Sequence, residues 1–256
     1  MFHLAGFYGS QAGNASLATL NALAEQVLNV QNNAFLPDKQ YSILGAFVMG
    51  ANLSRAQFSI PSYRDIALPD LHPLQVASAV PTRPNWIDLR NTPFIVRTAE
   101  PLAMLTSNSA GTADAQYGAV LLTPTGLDPV PAGRYVQVRF TATITATANA
   151  WTLGQLSPSQ NLPPGTYTVI GGQFQSATAV LARLVFPGQV ARPGILGTTS
   201  VGNIGILNEM PGALGAWGRF NTVVYPQLEI VCTAADTAQT VTLDCIYQPA
   251  QVNLGP

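Results

Sequence analysis

At 256 residues the chain is long enough for one large β domain or two smaller ones, with a substantial core. Charged side chains make up 9% of it, against about 25% in an ordinary soluble domain, while 47% is hydrophobic and the formal net charge is −1. This balance excludes a strongly basic protein that coats nucleic acid by neutralising phosphates, and it leaves a surface of Thr, Ser, Gln, Asn, Ala and Gly that resists self-association poorly.

The opening segment, MFHLAGFYGS, has neither a positive n-region nor a long apolar run, so it does not read as a signal peptide. Asn14 then stands as an N-cap, and Leu17, Leu20, Ala24, Val27 and Leu28 form a helical stripe. The reading is a helix over about 15–31, stopped by Asn32-Asn33, within an N-terminal arm covering 1–40. No run approaches the roughly 18 apolar residues that would span a bilayer.

From residue 41 to 256 the pattern is β. YSILGAFVMG (41–50) is almost continuously apolar, as in a strand buried on both faces, and RAQFSI (55–60) alternates. The stretch from Pro61 to Pro84 is proline-rich and aperiodic. It reads as a long ordered excursion whose Ile66, Leu68, Leu71 and Leu74 are interface candidates, because they are too apolar for free disorder. Beyond Trp86, short strands recur between Pro/Gly turns, as in a sandwich or barrel. They are NTPFIVRT, YGAVLLT, RYVQVRFTATITATA, GTYTVIG, TAVLARLVF, NTVVY and a closing pair, LEIVC and TVTLDCIY. In the long run, Val136, Val138, Phe140, Ala142, Ile144 and Ala146 share one face, and Gln137, Arg139, Thr141, Thr143, Thr145 and Thr147 the other.

The closing pair reads as a hairpin carrying the two cysteines, Cys232 and Cys245. A turn near Asp236 keeps them too far apart for a disulfide, and one shifted towards Gln239 pairs them directly; two reduced core thiols are the preferred reading. Trp86, Trp151 and Trp217 are almost evenly spaced, but their flanks differ, so they read as anchors of a core or interface.

Catalytic chemistry finds little support. The single lysine, Lys39, lies in Pro-Asp-Lys-Gln, outside any phosphate loop, and no Gly-x-Ser-x-Gly elbow is present. His3 and His72 read as solvated or interface histidines. Asp65, Asp70 and His72 come nearest to a divalent-cation site; the alternative pairs Asp65 with Arg64 and leaves Asp70 and His72 bonded to loop backbone. Glu100, Asp128, Glu209 and Glu229 are isolated carboxylates, and nothing selects a pair for acid–base work. Trp151 and Tyr167 could form a sugar-stacking platform, but packing is the better reading. The expectation is no enzyme, no cofactor and no metal. The other ten basic residues are arginines, spread singly from Arg55 to Arg219, which suits carboxylate pairing at interfaces or reflects a GC-rich genome.

Two segments, Ser176-Ala-Thr-Ala-Val-Leu-Ala-Arg-Leu-Val-Phe-Pro-Gly-Gln-Val-Ala-Arg-Pro-Gly and Ala235-Asp-Thr-Ala-Gln-Thr-Val-Thr-Leu-Asp, resemble stretches of the β-rich major coat proteins of icosahedral bacteriophages. The resemblance implies a jelly-roll shell protein located in the virion and forming trimers or larger capsomers. It also implies contact with other virion proteins and is compatible with an enclosed membrane; the lack of clustered basic residues, with Lys39 alone in the first 54, implies no direct sequence-specific nucleic-acid binding. The expected fold is therefore all-β: a jelly-roll-like sandwich, single with elaborate loops or a compact double roll, with an N-terminal helical arm. The expected function is a self-assembling coat subunit. The alternative is a trimeric carbohydrate- or receptor-binding β module, such as a phage spike or fibre head.

Overall fold

The computed structural model describes residues 1–25, 27–64, 70–71, 85–196 and 211–250, with residues 70–71, 85–86 and 195–196 described by their backbone alone. The first part of the chain forms β1 (His3–Gln11), β2 (Ala18–Thr19), β3 (Asn21–Ala22), β4 (Asn29–Gln31), β5 (Ala34–Leu36), β6 (Tyr41–Met49), β7 (Leu53–Ser59), β8 (Asp70–Leu71), β9 (Asn85–Asp88), β10 (Phe94–Val96), β11 (Ala103–Asn108) and β12 (Asp114–Thr123). The second forms β13 (Arg134–Ala142), β14 (Thr152–Gln155), β15 (Ser157–Pro158), β16 (Gly165–Ser176), β17 (Ala179–Val185), β18 (Gly194–Leu196), β19 (Gly218–Asn221), β20 (Gln227–Cys232) and β21 (Gln239–Pro249).

These strands build two sandwiches in tandem. In the first, the sheet β10-β6-β12-β1-β3, with β9 also on β6, faces the sheet β2-β11-β7-β8. In the second, β15-β13-β21-β16-β19 faces β14-β20-β17-β18. The two windings match. Setting aside β3, β4, β5, β9 and β15 leaves eight strands in each half. Ranked by position in their half, they follow the order 1-8-3-6 in one sheet and 2-7-4-5 in the other. The dissimilar tryptophan flanks gave no sign of this repetition.

Burial sets the layer order. The strands β1, β6 and β12 are buried almost continuously, as are β17 and β20, whereas β7, β11 and β13 alternate between buried and open positions. A sheet covered on both sides needs apolar residues at both parities; one covered on a single side needs them at every second position. Accordingly Val120 and Leu122 of β12 point into the first sandwich, while Tyr117, Ala119 and Leu121 join the core that includes the second. The β1-containing sheet and the β17-containing sheet thus form the two middle layers of a four-layer stack.

The N-terminal helical arm is not present. The described residues contain no helix longer than the 3₁₀ turn Pro61–Tyr63. Residues 3–11 form an interior strand, paired with β12 on one side and with β3 on the other. Tertiary contacts override the weak helical preference of the following segment. Leu20 N–H donates to Met104 O at 2.8 Å and Leu23 N–H to Gly6 O at 2.9 Å as the chain crosses between two sheets; Leu20 and Leu28 of the stripe are buried and Leu17 is half-buried. Asn14 sits in a turn at φ 54° rather than at a helix cap. Asn32 and Asn33, at φ 47° and 67°, are the central pair of the two-residue β4–β5 hairpin, where left-handed backbone matches the strand twist. The expected helical arm is therefore overturned: its residues are strands and turns, and the all-β sandwich reading carries over to a stack of antiparallel sheets.

Two smaller expectations also change. β20 and β21 are not a hydrogen-bonded hairpin: β20 pairs with β14 and β17, and β21 with β13 and β16, in facing sheets. Cys232 and Cys245 are free and buried. NTVVY is not a strand, because the Asn221 side chain accepts from the N–H groups of Val223 and Val224, both at 2.9 Å, and turns the chain after β19.

Candidate functional site

Alternation along β17 and β20 places charge at the junction between the sandwiches. Ala182 and Leu184 of β17, with Leu228 of β20, line the interior of the second sandwich. The opposite parity, Leu181 and Arg183 with Glu229, faces the first sandwich. Arg183 and Glu229 are register partners, so the ion pair is a direct cross-strand contact.

Around Arg183 lie four other ionisable groups. Its Nε donates to Glu229 Oε2 at 2.6 Å; its Nη1 donates to Leu4 O at 3.0 Å and also to a Glu25 carboxylate oxygen. Arg192 Nη1 donates to the other oxygen of Glu229 at 2.5 Å. The guanidinium carbon of Arg183 stacks 3.8 Å from the Trp151 ring centroid. Two arginines therefore meet two glutamates with each carboxylate bonded, while Arg183 Nη2 is buried without a hydrogen-bond partner, so the desolvation is only partly offset.

His3 completes the cluster. The Arg192 backbone N–H donates to its Nδ1 at 3.2 Å, so Nδ1 accepts and Nε2 carries the proton. That Nε2–H donates to Glu25 Oε1 at 3.1 Å. Arg183 Nη1 lies 3.3 Å from the same nitrogen, and the Glu25 carboxylate separates the two donors by accepting from both. Burial pushes the imidazole below the ordinary histidine range and outweighs the pull of Glu25. For Glu25 burial acts upwards, but the hydrogen bonds from His3 and Arg183 and the Arg183 charge prevail and hold its carboxyl below the usual glutamate range. The cluster is then two cations against two anions around a neutral ring. Its geometry clamps chain segments together and presents no open face to a substrate.

The other expected residues do not converge. Asp65, His72, Ile66, Leu68, Leu74 and Glu209 lie outside the described residues. Asp70 and Leu71 form β8, a sheet-edge strand paired with Gln57 and Ala56. Glu100 accepts from the backbone N–H groups of Ser62 at 2.5 Å and Arg97 at 2.9 Å. His3 is not solvated: it is 3% exposed. Tyr167 is buried and stacked on Phe220, and Trp151 is covered by Arg183, so neither offers a sugar platform. Among the described residues, no group of three or more His, Cys, Asp and Glu is placed to hold a metal ion.

The cluster escaped sequence reading because its members run from residue 3 to residue 229. One signal was available: Arg183 and Glu229 are each the lone charge in an otherwise apolar strand, TAVLARLVF and QLEIVC.

No family model matches the chain, and no curated protein matches its sequence. A search of solved structures finds a similarity to the major capsid protein P2 of bacteriophage PM2, at 8% identity and a TM-score of 0.27 over 100% of both chains. A likeness at that level establishes neither fold nor function for this chain.

Proposed function

We propose that this chain is a structural subunit that assembles with copies of itself into a virion shell. One observation carries the reading: a chain already poor in charge buries part of the charge it has. Arg183, Glu229, Asp114 and Asp244 are buried, and the Glu25 side chain is 1% exposed. What remains outside is largely uncharged and includes Val190, Val223 and Leu153, the first two exposed by 71% and 85%. Such a surface is satisfied by contact with other copies, with apolar burial contributing roughly 25 cal/mol per Å².

Within this reading, trimers or larger capsomers are the assembly units, other virion proteins are the partners, and Ile66, Leu68, Leu71 and Leu74 are the candidates for contacts between copies. The spike or fibre-head alternative loses its aromatic platform to packing.

Electron microscopy of the purified protein tests the proposal. Closed shells or ordered capsomer arrays are expected across assembly conditions. Monodisperse monomers under all of them would overturn it.

A further inference from the structure

We propose that His3 is the proton-sensitive element of a latch between the two sandwiches, closed while the ring is neutral and opened by its protonation. The latch follows from the junction's geometry and is independent of the shell reading.

His3 belongs to β1 of the first sandwich, and every group it meets is fixed. Glu25, from the segment between β3 and β4, takes its Nε2–H. Arg183 of β17 closes on the same carboxylate. The segment before β18 offers the Arg192 N–H to Nδ1 and its carbonyl to the Leu4 N–H at 2.9 Å. Glu229 of β20 anchors both arginines from behind. Tyr41 lies within the field of Glu25, and with its hydroxyl pushed up to about 12, chiefly by burial and then by Asp38, it adds no charge near neutrality.

Protonation upsets this arrangement twice. Nδ1 becomes a donor and turns against the Arg192 N–H, breaking one of the two hydrogen bonds named between β1 and the β18 segment and leaving Leu4 N–H to Arg192 O to bear the strain. A third cation then stands against two carboxylates in a site without solvent to screen it. The sign follows from linkage. The folded-state pKa is lowered, so the unfolded or opened chain binds the proton more readily. The contribution of His3 is present above about pH 6.5 and is lost as pH falls below it. The opened population rises by about tenfold per pH unit in that window, because one proton is taken up.

The test uses the whole chain and two readouts. With only two histidines, the imidazole nitrogens can be assigned by NMR against His72→Gln. The latch requires His3 to be the neutral Nε2–H tautomer at pH 7; a charged ring or the Nδ1–H tautomer overturns it. Amide exchange, corrected for intrinsic rates, is then compared at pH 7 and pH 5.5. Loss of protection of about tenfold is expected at Leu4 and Arg192, with Leu243 of β21 unchanged. His3→Gln, which keeps a donor towards Glu25 but does not titrate, is expected to abolish that difference. Protection at Leu4 and Arg192 that is flat in wild type, or a fall equally large at Leu243, contradicts the latch whether or not the variant folds.

Discussion

Arg183 and Glu229 face one another across β17 and β20, 2.6 Å from Nε to Oε2, on the side of the second sandwich that the first sandwich covers. Removing one partner of such a pair leaves the other charged and buried. Arg183→Met leaves Glu25 with only the neutral His3 ring and Glu229 with only Arg192, and is expected to cost about 3–5 kcal/mol in denaturant unfolding. Arg183→Lys is expected to recover only part of this, because one ammonium cannot reach three acceptors and stack on Trp151 as a planar fork does. A loss below about 1 kcal/mol for Arg183→Met would contradict the described cluster.

Gly6 sits where the middle layers touch. A Cβ there would lie 2.8 Å from Leu23 Cδ1 and 3.0 Å from both Leu181 Cδ1 and Trp151 Cζ2. Gly6→Val is expected to wedge the sandwiches apart at a cost of about 1–3 kcal/mol, or more if the backbone shifts. In a domain of this size that lowers Tm by about 2–4 °C per kcal/mol, measurable by calorimetry. An unchanged Tm would mean that the layers are not in contact at Gly6.

Gln239 continues a strand ladder with its side chain. Its Oε1 accepts from Ile144 N–H at 2.9 Å and its Nε2 donates to Ile144 O at 3.2 Å, both out of solvent. Gln239→Leu keeps the bulk and orphans both backbone groups. Each costs about 1–3 kcal/mol when left unpaired, so chemical unfolding should show a loss well above that of a surface substitution.

Cys232 and Cys245 are free and buried, and burial raises both thiols above the ordinary cysteine range. A thiol held protonated is a poor nucleophile. Ellman's reagent at pH 8 is expected to leave both unmodified in the folded protein and to titrate two thiols per chain in urea. Fast labelling of the folded chain would contradict their placement.

Strand periodicity was the legible part of the sequence. The faces read for 136–147 agree with the structure, with Val138, Phe140, Ala142, Ile144 and Ala146 buried, Val136 half-buried, and the odd-numbered residues from Gln137 to Thr147 exposed. The ladder itself ends at Ala142, where side-chain and loop partners take over. The continuous apolar run at 41–49 likewise announced a strand covered on both faces. The segment after Asn14 misled because Leu20 and Leu28, spaced for a helix face, are here buried along a non-helical chain that crosses between sheets. That arrangement depends on Met104 and Gly6, which are remote in sequence. The charge cluster lay beyond local reasoning for the same reason: its partners come together only when the two sandwiches dock.

In the proposed assembly, copies of this chain cover one another's uncharged surface. Size exclusion coupled to light scattering, at tens of micromolar and neutral pH, tests this. A mass several times the 27.0 kDa of one chain is expected, persisting at high salt because little charge is involved. A stable, soluble species of single-chain mass under those conditions would contradict it.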